Sequence, residues 1–248
     1  LASSSVEMSE LGLSLKDLAD IERVFIVACG SSFYTGLVGE YMIERLARVP
    51  VECDIASEFR YRHPVLPPKS LFISISQSGE TADTLAAVRL AKQAGVKVLS
   101  ICNVRRSSID READGHLYMN AGAEVGVAST KAFSATLSLL SLFSIVMSKA
   151  KGRLTIAEEQ AYVRQILAAP AQIETVLNHD KWFQEGAGKL KGYKGFLYLG
   201  RGVHYPIAME GALKLKELAY MHAEGYAAGE MKHGPLALID DDMAVVML

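Results

Sequence analysis

Cysteine is scarce and scattered in this 248-residue chain: Cys29, Cys53 and Cys102 stand far apart, with no CxxC pair. That spacing speaks against a disulfide framework and a zinc site, and no metal or organic cofactor is expected. An excess of charge of either sign is also missing. Lys and Arg number 26 against 28 Asp and Glu, a formal net charge of -2. No basic field for nucleic acid and no polybasic patch for a membrane follow from that balance. No signal peptide opens the sequence. The longest uncharged stretch lies between Lys131 and Lys149, at the short limit for a bilayer core. Ser134, Ser138, Ser141 and Ser148 recur through it at helical spacing, which marks a helix buried against neighbours and not one facing lipid. The expected setting is soluble, reducing and cytoplasmic. Several chemistries lack their signatures too: there is no GxGxxG turn, GxxxxGK[ST] loop, HExxH helix or GxSxG elbow.

What is present is an alternation of apolar runs and amphipathic stretches. Strands are expected at 23–30, 71–76, 96–103 and 116–119, and helices at 33–48, 82–95, 107–114, 130–150 and 155–178. The strand runs are continuously apolar, which suits a doubly wound parallel sheet buried on both faces, flanked by helices in an α/β fold. At 194–202 the pattern restarts. Aligning Gly30 with Gly200 sets Glu40 on Glu210, "ASEFR" (56–60) on "AGEMK" (228–232), and the strand from Leu71 on the one from Met243. A period near 170 residues fits a duplicated domain. On that alignment Leu248 corresponds to Ser76, and the chain begins with Leu. The expectation is one whole domain and the start of another.

Ligands of such sheets bind beyond the carboxyl ends of strands, where turns meet helix N-termini. Two turns there are rich in hydroxyls, Cys29-Gly30-Ser31-Ser32 and Ser76-Gln77-Ser78-Gly79-Glu80-Thr81. Backbone N–H groups, the positive helix end and hydroxyl or amide donors together suit a phosphate without Lys or Arg. The plainer alternative is that these hydroxyls cap their helices, and Glu80 and Asp83 fit that alternative, since carboxylates would repel an anion. A third cluster, "VASTK" (127–131), tips the balance towards a phosphate site.

A second constellation spans 210–235. Glu210, Lys214 and Glu217 share one helix face, and His233 follows in a turn closed by Gly234-Pro235. An exposed helix carries such pairs without purpose, and a His in a Gly-Pro turn is usually a surface residue. Yet carboxylate, amine and imidazole are the groups that ring opening and proton transfer between adjacent carbons require.

At "CGSS", "SQSGETADT", "GVASTKAF" and "EGALKLKELAYMHAEGYAAGEMKHGP" the sequence resembles the isomerase half of the glutamine–fructose-6-phosphate aminotransferases, built of two sugar isomerase (SIS) domains. The resemblance implies a five-stranded parallel sheet in a three-layer α/β/α arrangement. Its parts would be a lead-in (1–20), a first SIS domain (21–150), a helical linker (151–190) and an incomplete second SIS domain (191–248). By resemblance Ser76, Gln77, Ser78 and Thr81 hold the sugar phosphate, and Ser31, Ser32, Val127 and Ser129 contact the sugar. Glu217 is the base that moves a proton between C1 and C2, Lys214 its helper, and His233 the ring-opening group, reaching the other subunit of a homodimer. The implied ligands are fructose 6-phosphate and glucosamine 6-phosphate. The family's Schiff-base lysine and its glutaminase domain are not matched in this sequence, so no complete synthesis is expected from this chain alone. A sugar-phosphate deaminase or deglycase and a non-catalytic sugar-phosphate regulator are the competing readings.

Overall fold

In the computed structural model, which describes residues 5–248, the chain divides into two compact units, the first ending at Gln160 and the second spanning Ala161–Leu248. The first four residues of the lead-in lie outside the described residues.

The first unit runs α1 (Leu15–Asp20), β1 (Arg23–Ala28), α2 (Gly30–Ala47), β2 (Val51–Ile55), α3 (Ala56–Phe59), β3 (Ser70–Ser76), α4 (Ala82–Gln93), β4 (Lys97–Cys102), α5 (Ser108–Glu112), β5 (Gly115–Tyr118) and α6 (Lys131–Ala150). All five strands are parallel, in the order β2-β1-β3-β4-β5. The central strand, β3, is buried at every residue, Ser70, Ser74 and Ser76 included among its apolar Leu71, Phe72, Ile73 and Ile75. The strand that the apolar runs did not reveal is β2. Its Val51-Glu52-Cys53-Asp54-Ile55 alternates acid with apolar, because it lies at the sheet edge, where Arg62 pairs with both Glu52 and Asp54.

Phe25, Phe59 and Phe72 form an edge-to-face core, with ring centroids 6.4 and 5.6 Å apart. Each fully buried ring contributes about 2 kcal/mol or more of transfer free energy. On another part of the unit α6 lies against α2, and Gly39 makes that approach close: a Cβ there would come within 3.1 Å of Leu140. α6 is long and apolar enough to cross a membrane, but half of that window is buried inside the unit. Its hydroxyls are spent locally. Thr136, Ser141 and Ser144 donate to carbonyls one turn back, and Ser148 donates to the Leu46 carbonyl of α2 at 2.8 Å. The expected core helix is what the fold contains.

Helix α7 (Ile156–Leu177) crosses the boundary between the units. The second unit then holds α8 (Asp180–Leu190), β6 (Gly195–Gly200), α9 (His204–Ala219), β7 (His222–Ala227), two short 3-10 helices (Ala228–His233 and Pro235–Leu238) and β8 (Met243–Met247). Its parallel strands are ordered β7-β6-β8, the same arrangement as β2-β1-β3. The duplication is therefore visible in topology. Its register differs from the expected one at the start. Gly30 (φ 56°) matches Gly202 (φ 57°), and the left-handed C-caps Arg48 and Tyr220 (both φ 56°) match each other. The strand partners Ala28–Ile55 and Gly200–Ala227 keep the same offset of 172. Gly30 thus corresponds to Gly202, not Gly200, and Glu210 to Val38, not Glu40. Gly200 and Gly202 flank Arg201, and of the two only Gly202 has the left-handed backbone of Gly30.

Candidate functional site

In the first unit, β1 and β3 are neighbours, so their following turns emerge side by side at the carboxyl edge of the sheet. A contact joins them: Cys29 Sγ, at the head of the first turn, lies 3.9 Å from Thr84 Oγ1 in the opening turn of α4. Ser31 and Ser32 sit in the first turn of α2, half-buried.

The 76–81 turn is tightly wound on its own hydroxyls. Ser76 Oγ accepts the Gly79 N–H at 3.0 Å and lies 3.0 Å from Thr81 Oγ1. Ser78 Oγ accepts the Glu80 N–H at 3.2 Å. Gly79 takes φ 66°, and a Cβ on it would fall 1.9 Å from Ser107 Oγ. Only glycine satisfies both conditions. Ser76 is buried, whereas Gln77, Ser78 and Thr81 are partly open.

Capping does not account for these hydroxyls. Thr81 occupies the N-cap position of α4 and makes no side-chain cap bond, and neither does Cys29 for α2. Ser14 and Asp17 form a reciprocal box at α1, and Thr155 with Glu158 does the same before α7, whereas α3, α5, α8 and α9 resemble α2 and α4 in having no side-chain cap bond. The N-cap side chains of α2 and α4 therefore make no cap bond, and at α4 the Ser76 and Thr81 hydroxyls are turned towards one another. A hydroxyl that accepts one bond still has its hydrogen to donate, so Ser78 and one of the Ser76–Thr81 pair can each give a bond to an anion.

The carboxylates that seemed to oppose a phosphate are turned aside. Glu80 Oε1 accepts the Ser108 N–H at 2.8 Å, and hydrogen bonds from the Ser108 hydroxyl and then its N–H hold the carboxyl below its ordinary value. Asp83 lies 3.5 Å from Arg60.

The third cluster behaves differently. Glu124 fills the start of α6, accepting the Thr130 N–H at 2.8 Å, with Ser129 Oγ 3.4 Å from its other oxygen. Burial works to raise the Glu124 carboxyl, but the bonds from Thr130, Ala132 and Ser129 win and lower it. The "VASTK" hydroxyls thus already serve an internal carboxylate, and this loop adds less to an anion site than its composition suggested. Val127 is 97% exposed on it. Asn103, which sequence reasoning missed, links this loop to the 76–81 turn. Its N–H donates to the Gln77 carbonyl at 3.1 Å, and its side chain meets Gly122 O and Ala121 N at 2.7 and 2.9 Å. A lone Asn after a strand carries no spacing that would announce this.

In the second unit, the α9 constellation is not an exposed helix pair. Glu210 is only 6% exposed and the Lys214 side chain 20%. Lys214 Nζ is 3.3 Å from Glu210 and is also bonded to Glu217. One ammonium so placed orients Glu217 at the half-open end of the row. His233 is exposed, at the end of a 3-10 helix. At the position that corresponds to Ser31 and Ser32 this unit has Val203 and His204, so its own first turn has lost the hydroxyls.

Fold and turns together define a doubly wound α/β protein with a hydroxyl-lined turn at the carboxyl edge of its first sheet. A family model described as SIS domain matches residues 17–146 and 189–248, and the chain belongs to the SIS domain family. It is 53% identical over 232 residues to glutamine–fructose-6-phosphate aminotransferase (isomerizing) of Zymomonas mobilis, covering 94% of this chain and 38% of that protein. It is 48% identical over 239 residues to the same enzyme of Thermus thermophilus, covering 96% and 39%. The chain therefore spans well under half the length of these relatives. Among solved structures, the C-terminal domain of glucosamine-fructose-6-phosphate aminotransferase from Francisella tularensis superposes with a TM-score of 0.93 at 43% identity, covering 100% of this chain and 69% of that one. Glucosamine-6-phosphate deaminase of Thermotoga maritima, at a TM-score of 0.77 and 24% identity over 94% of this chain and 72% of that one, shares the fold alone.

Proposed function

We propose that this chain is the sugar-phosphate isomerase part of a glutamine–fructose-6-phosphate aminotransferase, acting on fructose 6-phosphate to yield glucosamine 6-phosphate with ammonia delivered from a glutaminase domain. The 76–81 turn holds the phosphate through Ser76, Gln77, Ser78 and Thr81, while Ser31, Ser32, Val127 and Ser129 contact the sugar. His233 transfers the proton that opens the ring. Glu217 takes a proton from C1 and returns it to C2, and Lys214, bonded to that carboxylate, holds it in position. The protein works as a homodimer in the cytoplasm. One observation carries the reading: the turns that follow the adjacent strands β1 and β3 open at the same sheet edge, bringing Ser31 and Ser32 to the side of the Ser76–Thr81 hydroxyl pair.

The test is calorimetric titration of the chain with fructose 6-phosphate, glucosamine 6-phosphate and fructose. Binding of both phosphates and not of fructose supports the reading. Equal binding of fructose, or of none, contradicts it.

A further inference from the structure

The phosphate turn rests on the stretch that links β4 to α5, and the contacts between the two are unusually directed. The Asn103 N–H reaches the Gln77 carbonyl at 3.1 Å, and the Ile109 N–H reaches the Gly79 carbonyl at 3.0 Å. Ser107 is buried, with its Oγ set directly behind Gly79, and the buried Cys102 Sγ would lie 3.4 Å from a Cβ placed there. The Ser108 N–H completes the row by taking the Glu80 carboxylate at 2.8 Å. All three backbone donors come from one strand-to-helix segment, and they take three of the four consecutive residues 77–80. Glu80 itself is exposed, so neither burial nor packing fixes its direction; the bond to Ser108 does.

A free carboxylate one residue before Thr81 would stand at the start of α4, where it would compete with a phosphate for the same N–H groups and repel it. Resting on the phosphate-site reading above, we infer that Glu80 is a positioning residue. Its carboxylate, anchored on the Ser108 N–H, presets the 76–81 turn and keeps a negative charge out of the anion site. The lowered carboxyl of Glu80 agrees with that anchorage, since the bonds from Ser108 are its leading cause. Asp83, the other acid of this region, faces Arg60, and Arg111 is the further charge acting on Glu80.

Three substitutions separate reach from charge. Glu80→Gln keeps an oxygen at the same length and removes the charge. Glu80→Asp keeps the charge and cannot reach Ser108. Ser108→Pro deletes the donor, at the first position of α5, where proline is well tolerated; Ser107 before it already has φ -62° and ψ 169°. Affinity for fructose 6-phosphate is measured on the full 248-residue chain by calorimetry, with the melting temperature of the unliganded chain alongside. Glu80→Asp and Ser108→Pro each weaken binding about fivefold, the effect of a misplaced charge at a helix end, while Glu80→Gln changes it less than about twofold. Adding Glu80→Gln to Ser108→Pro restores most of the lost affinity. Glu80 is exposed, so its variants stay folded even if the proline variant does not. The inference is overturned if Glu80→Asp binds as tightly as the unaltered chain, or if Ser108→Pro loses as much in the Glu80→Gln background. Failure of the unaltered chain to bind would instead overturn the phosphate site itself, and this inference with it.

Discussion

Ser76 and Thr81 face each other hydroxyl to hydroxyl at 3.0 Å across the turn that opens α4, although Thr81 occupies a position from which it would ordinarily cap that helix. Between them they need one hydrogen, which leaves another for a ligand. Thr81→Val keeps the shape and removes the hydroxyl. Fructose 6-phosphate affinity falls about tenfold, as expected for one bond to a charged group. The melting temperature of the unliganded chain moves by less than about 2 °C, because no backbone donor depends on Thr81. Paired calorimetry and melting curves check both halves.

Gly79→Ala destabilises the first unit by about 3 kcal/mol, through a Cβ forced into left-handed backbone and onto a neighbouring hydroxyl. That neighbour is Ser107, 1.9 Å from the added atom, so Ser107→Gly in the same chain recovers part of the loss. Urea denaturation of the two single variants and the double variant measures the recovery. Simple additivity would show that the clash is not with Ser107.

Lys214→Met removes the cation between Glu210 and Glu217, and Glu210 is buried. Stability drops by about 2 kcal/mol, since a carboxylate at low exposure loses the cation set beside it. Glu210→Gln in addition returns most of that loss, as a double-mutant cycle in urea would register.

Acid loosens the N-terminal segment through Glu159. This carboxylate accepts from Val6 N at 2.7 Å, Ser5 Oγ at 2.9 Å and Lys149 Nζ at 2.8 Å. Burial alone would raise its carboxyl, but these bonds outweigh burial and lower it. A carboxyl lowered in the folded state stabilises the fold above its ordinary range, and that contribution vanishes as pH falls through the folded value. Melting temperatures of the chain and of Glu159→Gln therefore differ most near neutral pH and converge below about pH 4. A gap that persists to low pH would rule the linkage out.

Much of the fold was legible because buried parallel strands write themselves as apolar runs: β1, β3, β4 and β6 all stand where such runs occur. The edge strand β2 was not, because solvent on one face admits Glu52 and Asp54. The turn at 76–81 was legible by its hydroxyls, and the helix face of Lys214 and Glu217 by its spacing. What sequence could not display is direction. Glu80 looked like a carboxylate opposing an anion, and only the path of the chain turns it onto Ser108. Ser129 and Thr130 looked open to a ligand, and only the fold sets Glu124 before them.

The most direct measurement is the melting temperature of the chain with saturating fructose 6-phosphate, with inorganic phosphate and with fructose, beside Thr81→Val. A ligand at 100 times its dissociation constant adds about 2.7 kcal/mol of stability. The sugar phosphate is predicted to raise the melting temperature most, phosphate less and fructose not at all, and Thr81→Val at the same ligand concentrations to lose much of the gain. A rise with fructose equal to that with fructose 6-phosphate, or an undiminished rise in Thr81→Val, would contradict the assignment of this turn to the phosphate.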